Sequence, residues 1–379
     1  MTIYLNNAGA SLVSDETFDA YLGHLQLERE VGAYKAATFA EPFRERFRES
    51  AATLVNAKST EIAFADSASR AWNAVVYGSG LQRGDRVVTL SSEFGSNLVS
   101  LFHYAGGVGA EVVVVGCSLN GTFDMGEFRS EVHDPRTKLV AISHVAAHGS
   151  IVNPVETIGK IVKECEGVNY VVDGCQAVGQ VSVDVRKIGC DAYTGTGRKW
   201  LRGPRGSAFL YVREGSAFRT REVDLASADL AFGSDGRVTG VDVRQDARQF
   251  ELWERNVAGE IALGVAISAS LAVTLDLRER IALSANRLRR AVSENSHLTL
   301  IGEENSTSGV VGFVASDPSR EDEFERAFAL ADIAISTMHD WDCPLHFPRT
   351  GVSRIFRLAP HYYTSDSEVD RAIAVLDQL

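Results

Sequence analysis

The chain is short of positive charge and short of cysteine. Across 379 residues, 38 Lys and Arg stand against 50 Asp and Glu, a formal charge of −12, and no cluster of Lys and Arg relieves the deficit. A nucleic-acid surface needs clustered cations to displace counterions from phosphates, so no nucleic-acid partner is expected. The five cysteines, Cys117, Cys165, Cys175, Cys190 and Cys343, are odd in number and have no CxxC spacing. They suit reduced thiols better than a disulfide framework or a zinc site, and no metal is expected. Long apolar runs are missing as well: none approaches the ~20 residues that span a bilayer. Met1–Ser14 has neither the basic start nor the apolar stretch of a signal peptide. A cytoplasmic protein with no membrane partner is the expectation. Internal repeats and low-complexity linkers are also lacking. With 45% hydrophobic residues, the chain can bury a sizeable core, as two domains or one large enzyme.

What is present is a rhythm of short β-rich runs alternating with helical stretches, which predicts an α/β fold around a mainly parallel sheet. Arg86–Leu90, Glu111–Val115, Leu139–Ser143 and Tyr170–Asp173 read as buried strands. Ligands of such sheets bind beyond the carboxyl ends of the strands, so the residues there matter first. Ser67–Tyr77 reads as a helix whose opening residues could cap it and bind an anion. Further helices are predicted over Val155–Glu164, Asn256–Arg278, Leu283–Ser293 and Glu321–Ala331, and strands over Val310–Ala315, Ile333–Ser336 and Ser353–Leu358. This change of pattern places a large domain over 15–255 and a smaller α+β domain over 256–379. The segment 1–14 is expected to return and pack on the smaller one.

One stretch carries chemistry. Asp173 ends a strand in Tyr170-Val-Val-Asp-Gly-Cys-Gln-Ala-Val-Gly179, and Lys199 follows in Thr194-Gly-Thr-Gly-Arg-Lys-Trp-Leu-Arg-Gly-Pro-Arg-Gly206. Pyridoxal 5′-phosphate needs such partners: a lysine amine to bond its aldehyde carbon, a carboxylate to keep the ring nitrogen protonated, and donors for its phosphate. Alone, Asp173 could cap a turn and Lys199 could be a solvated lysine; together, in this context, they point to the cofactor.

These two blocks resemble the class V aminotransferase family of fold-type I pyridoxal-phosphate enzymes, and within it the branch of isopenicillin N epimerase and hercynylcysteine sulfoxide lyase. The likeness runs along most of the chain. It includes Tyr4-Leu-Asn-Asn-Ala-Gly9 at the start and Phe356-Arg-Leu-Ala-Pro-His-Tyr-Tyr-Thr364 near the end. The resemblance implies a large domain with a sheet flanked by helices, a smaller C-terminal domain, a homodimer, and a small-molecule amino-acid substrate. It implies that Ser67, Ala68, Ser69, Thr196 and Arg198 hold the phosphate and that Phe94 stacks on the ring, where desulfurases place a histidine. A phenyl ring covers the pyridine but shuttles no proton. Gln176 is expected to bond the phenolic oxygen, and Asn7 and Arg357 to meet the substrate, Arg357 through its carboxylate. Two departures stand out. Ala147 replaces an asparagine found in many relatives, a role that could pass to His148, and Glu254 replaces a threonine that reaches a partner's phosphate.

Several reactions share this chemistry. A cysteine desulfurase needs a mobile nucleophilic thiol, and Cys343 lies in the right region. However, Met338-His-Asp-Trp-Asp-Cys-Pro344 lacks the Gly-His-Cys context, and alignment on Ile333-Ala-Ile335 puts Trp341 at the nucleophile's place. A C–S lyase needs no protein thiol, because a β-sulfur substituent leaves a Cα carbanion directly, giving pyruvate and ammonia. Likeness to the sulfoxide lyase branch around Glu30–Tyr34, Ala146–Gly149 and Arg198–Gly206, and to C–S lyase-like enzymes of antibiotic pathways, makes β-elimination from an S-substituted cysteine the expected activity. Lys199 is the expected catalytic base, with Tyr34 and His148 as further catalytic candidates. Epimerisation, transamination, decarboxylation-coupled oxidative deamination and a degenerate binding module are the remaining alternatives.

Overall fold

The computed structural model describes residues 2–346 and 353–379, so Met1 of the N-terminal segment lies outside it. The chain opens on β1 (Ile3–Tyr4) and continues through two long helices, α1 (Asp15–Val31) and α2 (Ala33–Val55). They are divided at Gly32, whose φ of 85° only glycine adopts without strain. Next come β2 (Ile62–Ala65), α3 (Ala68–Tyr77), β3 (Arg86–Leu90), α4 (Gly95–Val108), β4 (Glu111–Val115), α5 (Met125–His133) and β5 (Thr137–Ser143). The series closes with α6 (Val155–Val162), β6 (Asn169–Asp173), α7 (Val185–Ile188), β7 (Ala192–Thr196) and β8 (Ala208–Val212).

These strands form one sheet in the order β2-β8-β7-β6-β5-β3-β4. Strands β3 to β7 run parallel, while β8 is antiparallel to both of its neighbours. The four predicted strands are all in it. In β3, β5 and β6 the valine-rich runs are buried on both faces, as a parallel sheet covered by helices requires: Val87, Val88, Val140, Val171 and Val172 are wholly enclosed, while the edge strand β4 is only partly buried. Register then does the positioning. Ser143 pairs with Asp173, and Asp173 with Thr194, so polar residues of three neighbouring strands meet at the sheet's carboxyl edge.

Beyond a two-stranded hairpin, β9 (Ala228–Phe232) with β10 (Val238–Val243), the chain forms α8 (Val257–Ala272) and α9 (Leu275–Glu294). The helix predicted over Asn256–Arg278 is therefore divided, with a bend of 90°. The β-branched pair Val273-Thr274 adopts extended backbone, and Arg278 donates to the Ser270 carbonyl at 2.6 Å, beside the Val273 amide. The rest comprises β11 (Leu298–Ile301), β12 (Val311–Ala315), α10 (Glu321–Leu330), β13 (Ile333–Ala334), β14 (Ser336–Met338), β15 (Ile355–Leu358) and α11 (Asp366–Leu376). An antiparallel sheet in the order β11-β12-β15-β14 packs its own apolar cluster, including Leu288, Phe313, Phe324, Phe356 and Val369. The strand predicted over Ile333–Ser336 is split: β13 pairs in parallel with β1, and β14 joins β15. Among the described residues, no single helix is long and apolar enough to cross a membrane.

Candidate active site

A cleft opens at the carboxyl edge of the large sheet. Lys199, in the loop after β7, lines it together with Asp173, Gln176, Thr196, Arg198 and Phe94. Ser67, Ala68 and Ser69 close one end, where Ser67 caps α3 by accepting from the Arg70 amide at 3.2 Å. The first N–H groups of a helix lack intrahelical acceptors, so this end of the cleft suits an anion, and the Arg198 guanidinium adds positive charge. The Arg198 side chain is held by the Gly9 carbonyl.

Asp173 is held by three donors. Its Oδ1 accepts from the Cys175 amide at 2.8 Å and the Thr194 hydroxyl at 3.1 Å, and its Oδ2 from Asn97 Nδ2 at 2.7 Å. Asn97 Nδ2 also donates to Glu93 Oε1 at 2.9 Å, and that oxygen accepts from the Ser143 hydroxyl at 2.5 Å and the Phe94 amide at 2.8 Å. Glu93 is wholly enclosed; burial first, then the Asp173 charge, pushes its carboxyl up to about 7 against the pull of those donors. Burial lowers the Lys199 amine to about 8, with Arg198 and Arg357 also acting to lower it and Cys175 and Asp173 opposing.

Arg357 approaches from β15. Its Nε donates to the Ser336 hydroxyl at 2.9 Å and its Nη1 to the Ala147 carbonyl at 2.6 Å, and Ala147 lines the cleft. Burial lowers its guanidinium to about 10.

Four sequence candidates are placed differently. Tyr34 is 80% exposed on α2 and lines a separate groove with Glu254 and Trp253, away from the cleft. His148 is fully buried and packs against His346, with ring centroids 4.3 Å apart and the planes tilted by 46°; burial holds its imidazole well below the usual histidine range. His148 is not among the residues that line the cleft, whereas Ala147 is. Asn7 is also enclosed, donating to the Ala359 carbonyl at 2.6 Å and accepting from the Tyr363 hydroxyl. Gln176 does face the cleft, but its amide bonds the Ala8 carbonyl at 3.0 Å and the Trp200 indole at 2.9 Å.

Sequence reasoning missed Glu93 and Asn97, although they flank Phe94, which it did single out. The available signal was two polar residues one helical turn apart, just past the end of β3. Cys343 sits in an apolar cluster with Ala147, Met338 and Ile355, against Phe94. Its segment is tied to α4 by the Gly95 amide donating to the Asp342 carbonyl at 2.7 Å, and burial pushes the thiol far above its ordinary value.

The donor set fits pyridoxal 5′-phosphate: an anion site at a helix start, an aromatic face, a braced carboxylate and an amine of lowered basicity. Among the described residues, no group of three or more His, Cys, Asp or Glu is placed to hold a metal ion.

Residues 3–372 match the family described as aminotransferase class-V, and the chain belongs to it. Among its relatives, the chain is 29% identical to a cysteine desulfurase of Dickeya dadantii, covering 99% of this chain and 91% of that one. It is 27% identical to a probable cysteine desulfurase of Methanothermobacter thermautotrophicus, over 92% and 86%. Among solved structures, the apo cysteine desulfurase of Thermococcus onnurineus NA1 superposes with a TM-score of 0.88 at 25% identity, covering 100% of this chain and 94% of that one. The cystine C–S lyase C-DES, solved with its product cysteine persulfide, shares the fold with a TM-score of 0.87 at 20% identity, over 100% and 98%.

Proposed function

We propose that the protein is a pyridoxal 5′-phosphate-dependent enzyme that breaks the carbon–sulfur bond of cysteine or a cysteine derivative. The observation that carries this reading is the meeting of Lys199 and the braced Asp173 in one cleft, with Arg357 bonded to its wall. When bound, pyridoxal phosphate supplies an electron sink for charge developing at the substrate Cα. Asp173 holds a proton at the ring nitrogen, and its three donors keep it in one orientation. Lys199 would hold the cofactor through its aldehyde carbon and, as a free amine, move the Cα proton, a task helped by its lowered basicity. Phe94 would cover the ring, the start of α3 with Thr196 and Arg198 would hold the phosphate, and Arg357 would bind the amino acid's carboxylate.

Two fates of the sulfur compete. Desulfuration, which passes sulfur to a protein thiol and yields alanine, is the better supported, because relatives matched over nearly the whole chain carry that name. This reverses the order expected from the motifs, which put elimination from an S-conjugate first. One observation favours elimination: Cys343 is enclosed and its thiol is held in the neutral form, a poor state for a nucleophile. Incubation of the holoprotein with cysteine and with S-substituted cysteines, with alanine and pyruvate measured separately, decides between them. Alanine with a persulfide on Cys343 supports desulfuration; stoichiometric pyruvate, undiminished in Cys343→Ala, establishes elimination. Neither product from any sulfur amino acid would refute the proposed activity.

A further inference from the structure

Asp173 is braced on one oxygen by an amide that could equally well sit the other way round. Rotating the Asn97 amide by half a turn exchanges its Nδ2 and Oδ1 at almost no cost in shape, and would put a carbonyl oxygen against the carboxylate. Something must fix which end faces Asp173. In the structure, Nδ2 lies between two carboxyl oxygens, Asp173 Oδ2 at 2.7 Å and Glu93 Oε1 at 2.9 Å, one amide proton for each. The flipped amide would set its oxygen against both.

Glu93 is in turn held by two further donors. The Phe94 amide and the Ser143 hydroxyl both reach Oε1, while Oε2 is buried with no hydrogen-bond partner among the described residues. A proton on Oε2 leaves Oε1 accepting all three donors, so the bridge is the same whether Glu93 is charged or neutral.

We propose that Glu93 is a positioning residue: it sets the polarity of the Asn97 amide, and through it the orientation of the Asp173 carboxylate toward the cofactor's ring nitrogen. This rests on the cofactor reading above, not on which sulfur substrate is used.

The test is a double-mutant cycle read by pyridoxal-phosphate affinity and by the pH titration of the holoprotein's visible absorption, neither of which depends on the substrate. Glu93→Gln keeps an oxygen for the three donors and is expected to stay within about twofold of wild type. Glu93→Leu removes the acceptor and should weaken affinity roughly tenfold, the order expected for one lost hydrogen bond to a charged group, and displace the absorption midpoint. Asn97→Ala should do the same from the other end, and serves alone if Glu93→Leu does not fold. Combining the two should add nothing further. Unchanged affinity and absorption in Asn97→Ala, additive losses, or a Glu93→Gln variant as impaired as the leucine one would overturn the proposal. A wild-type protein that takes up no pyridoxal phosphate would instead refute the cofactor reading, and this inference with it.

Discussion

Lys199 draws its reactivity from where it is kept. An ordinary lysine, with a pKa near ~10.4, is almost wholly protonated at neutral pH and cannot attack an aldehyde. Burial has lowered this one to about 8, so the neutral amine grows as pH rises through that value. The rate at which the cofactor-free protein takes up pyridoxal phosphate should therefore climb with pH and level off with a midpoint near 8; stopped-flow absorbance would show it, and a midpoint near ~10 would contradict the lowered amine. Lys199→Ala should abolish turnover, and borohydride reduction of the wild-type holoprotein should place the pyridoxyl group on this residue. Arg357→Ala should raise the KM for amino-acid substrates by an amount equivalent to about 1.5–3 kcal/mol, with Lys a poor substitute because it lacks the planar fork. An unchanged KM would assign the carboxylate to another cation. Lys199 and Asp173 were readable because one continuous stretch carries both with their glycine-rich surroundings. The bridge to Asp173 was not: Asn97 meets it from 76 positions away, and nothing local in either segment announces the contact.

Helices α2 and α8 are joined by buried charge as well as by apolar packing. Arg48, 3% exposed, lies 3.6 Å from both Glu251 and Glu260, while Arg44 and Arg255 each reach Glu260 at 3.1 Å. Such a cluster contributes little net stability as a whole, but removing one member strands the opposite charge without water. Arg48→Met is thus expected to cost about 3–5 kcal/mol, read as a lower urea midpoint, while the visible absorption of the surviving holoprotein stays the same. A midpoint within experimental error of wild type would mean that Arg44 and Arg255 suffice. The elements themselves divide by how local their causes are. The central strands were readable from their valine runs, since full burial on both faces demands that composition. The break between α8 and α9 was not: a Val-Thr pair weakens a helix only slightly by propensity, and the bend is completed by Arg278 reaching back to Ser270.

The surface of the chain is unfinished if it acts alone. Phe18, Leu22 and Leu25 follow one another at helical spacing along α1, as do Phe39 and Phe43 on α2, and all are more than two-fifths exposed. Trp253, 60% exposed, stands beside Tyr34 at the groove that also takes Glu254. Apolar stripes of this kind on a chain of charge −12 are the mark of a face meant to be covered. A second copy is the expected cover, in keeping with the homodimer implied by the family resemblance. Sedimentation velocity at assay concentration should then give twice the chain's mass, and Phe43→Asp with Trp253→Asp should shift it toward the monomer. The same double substitution tells where the site ends. A monomer that loses its cofactor absorption would show that the cleft depends on the partner, and Tyr34, remote from the cleft of its own chain, would become a candidate contact across the interface. A monomer that keeps full absorption and turnover would confine the site to the residues of one chain and leave Tyr34 with no part in it.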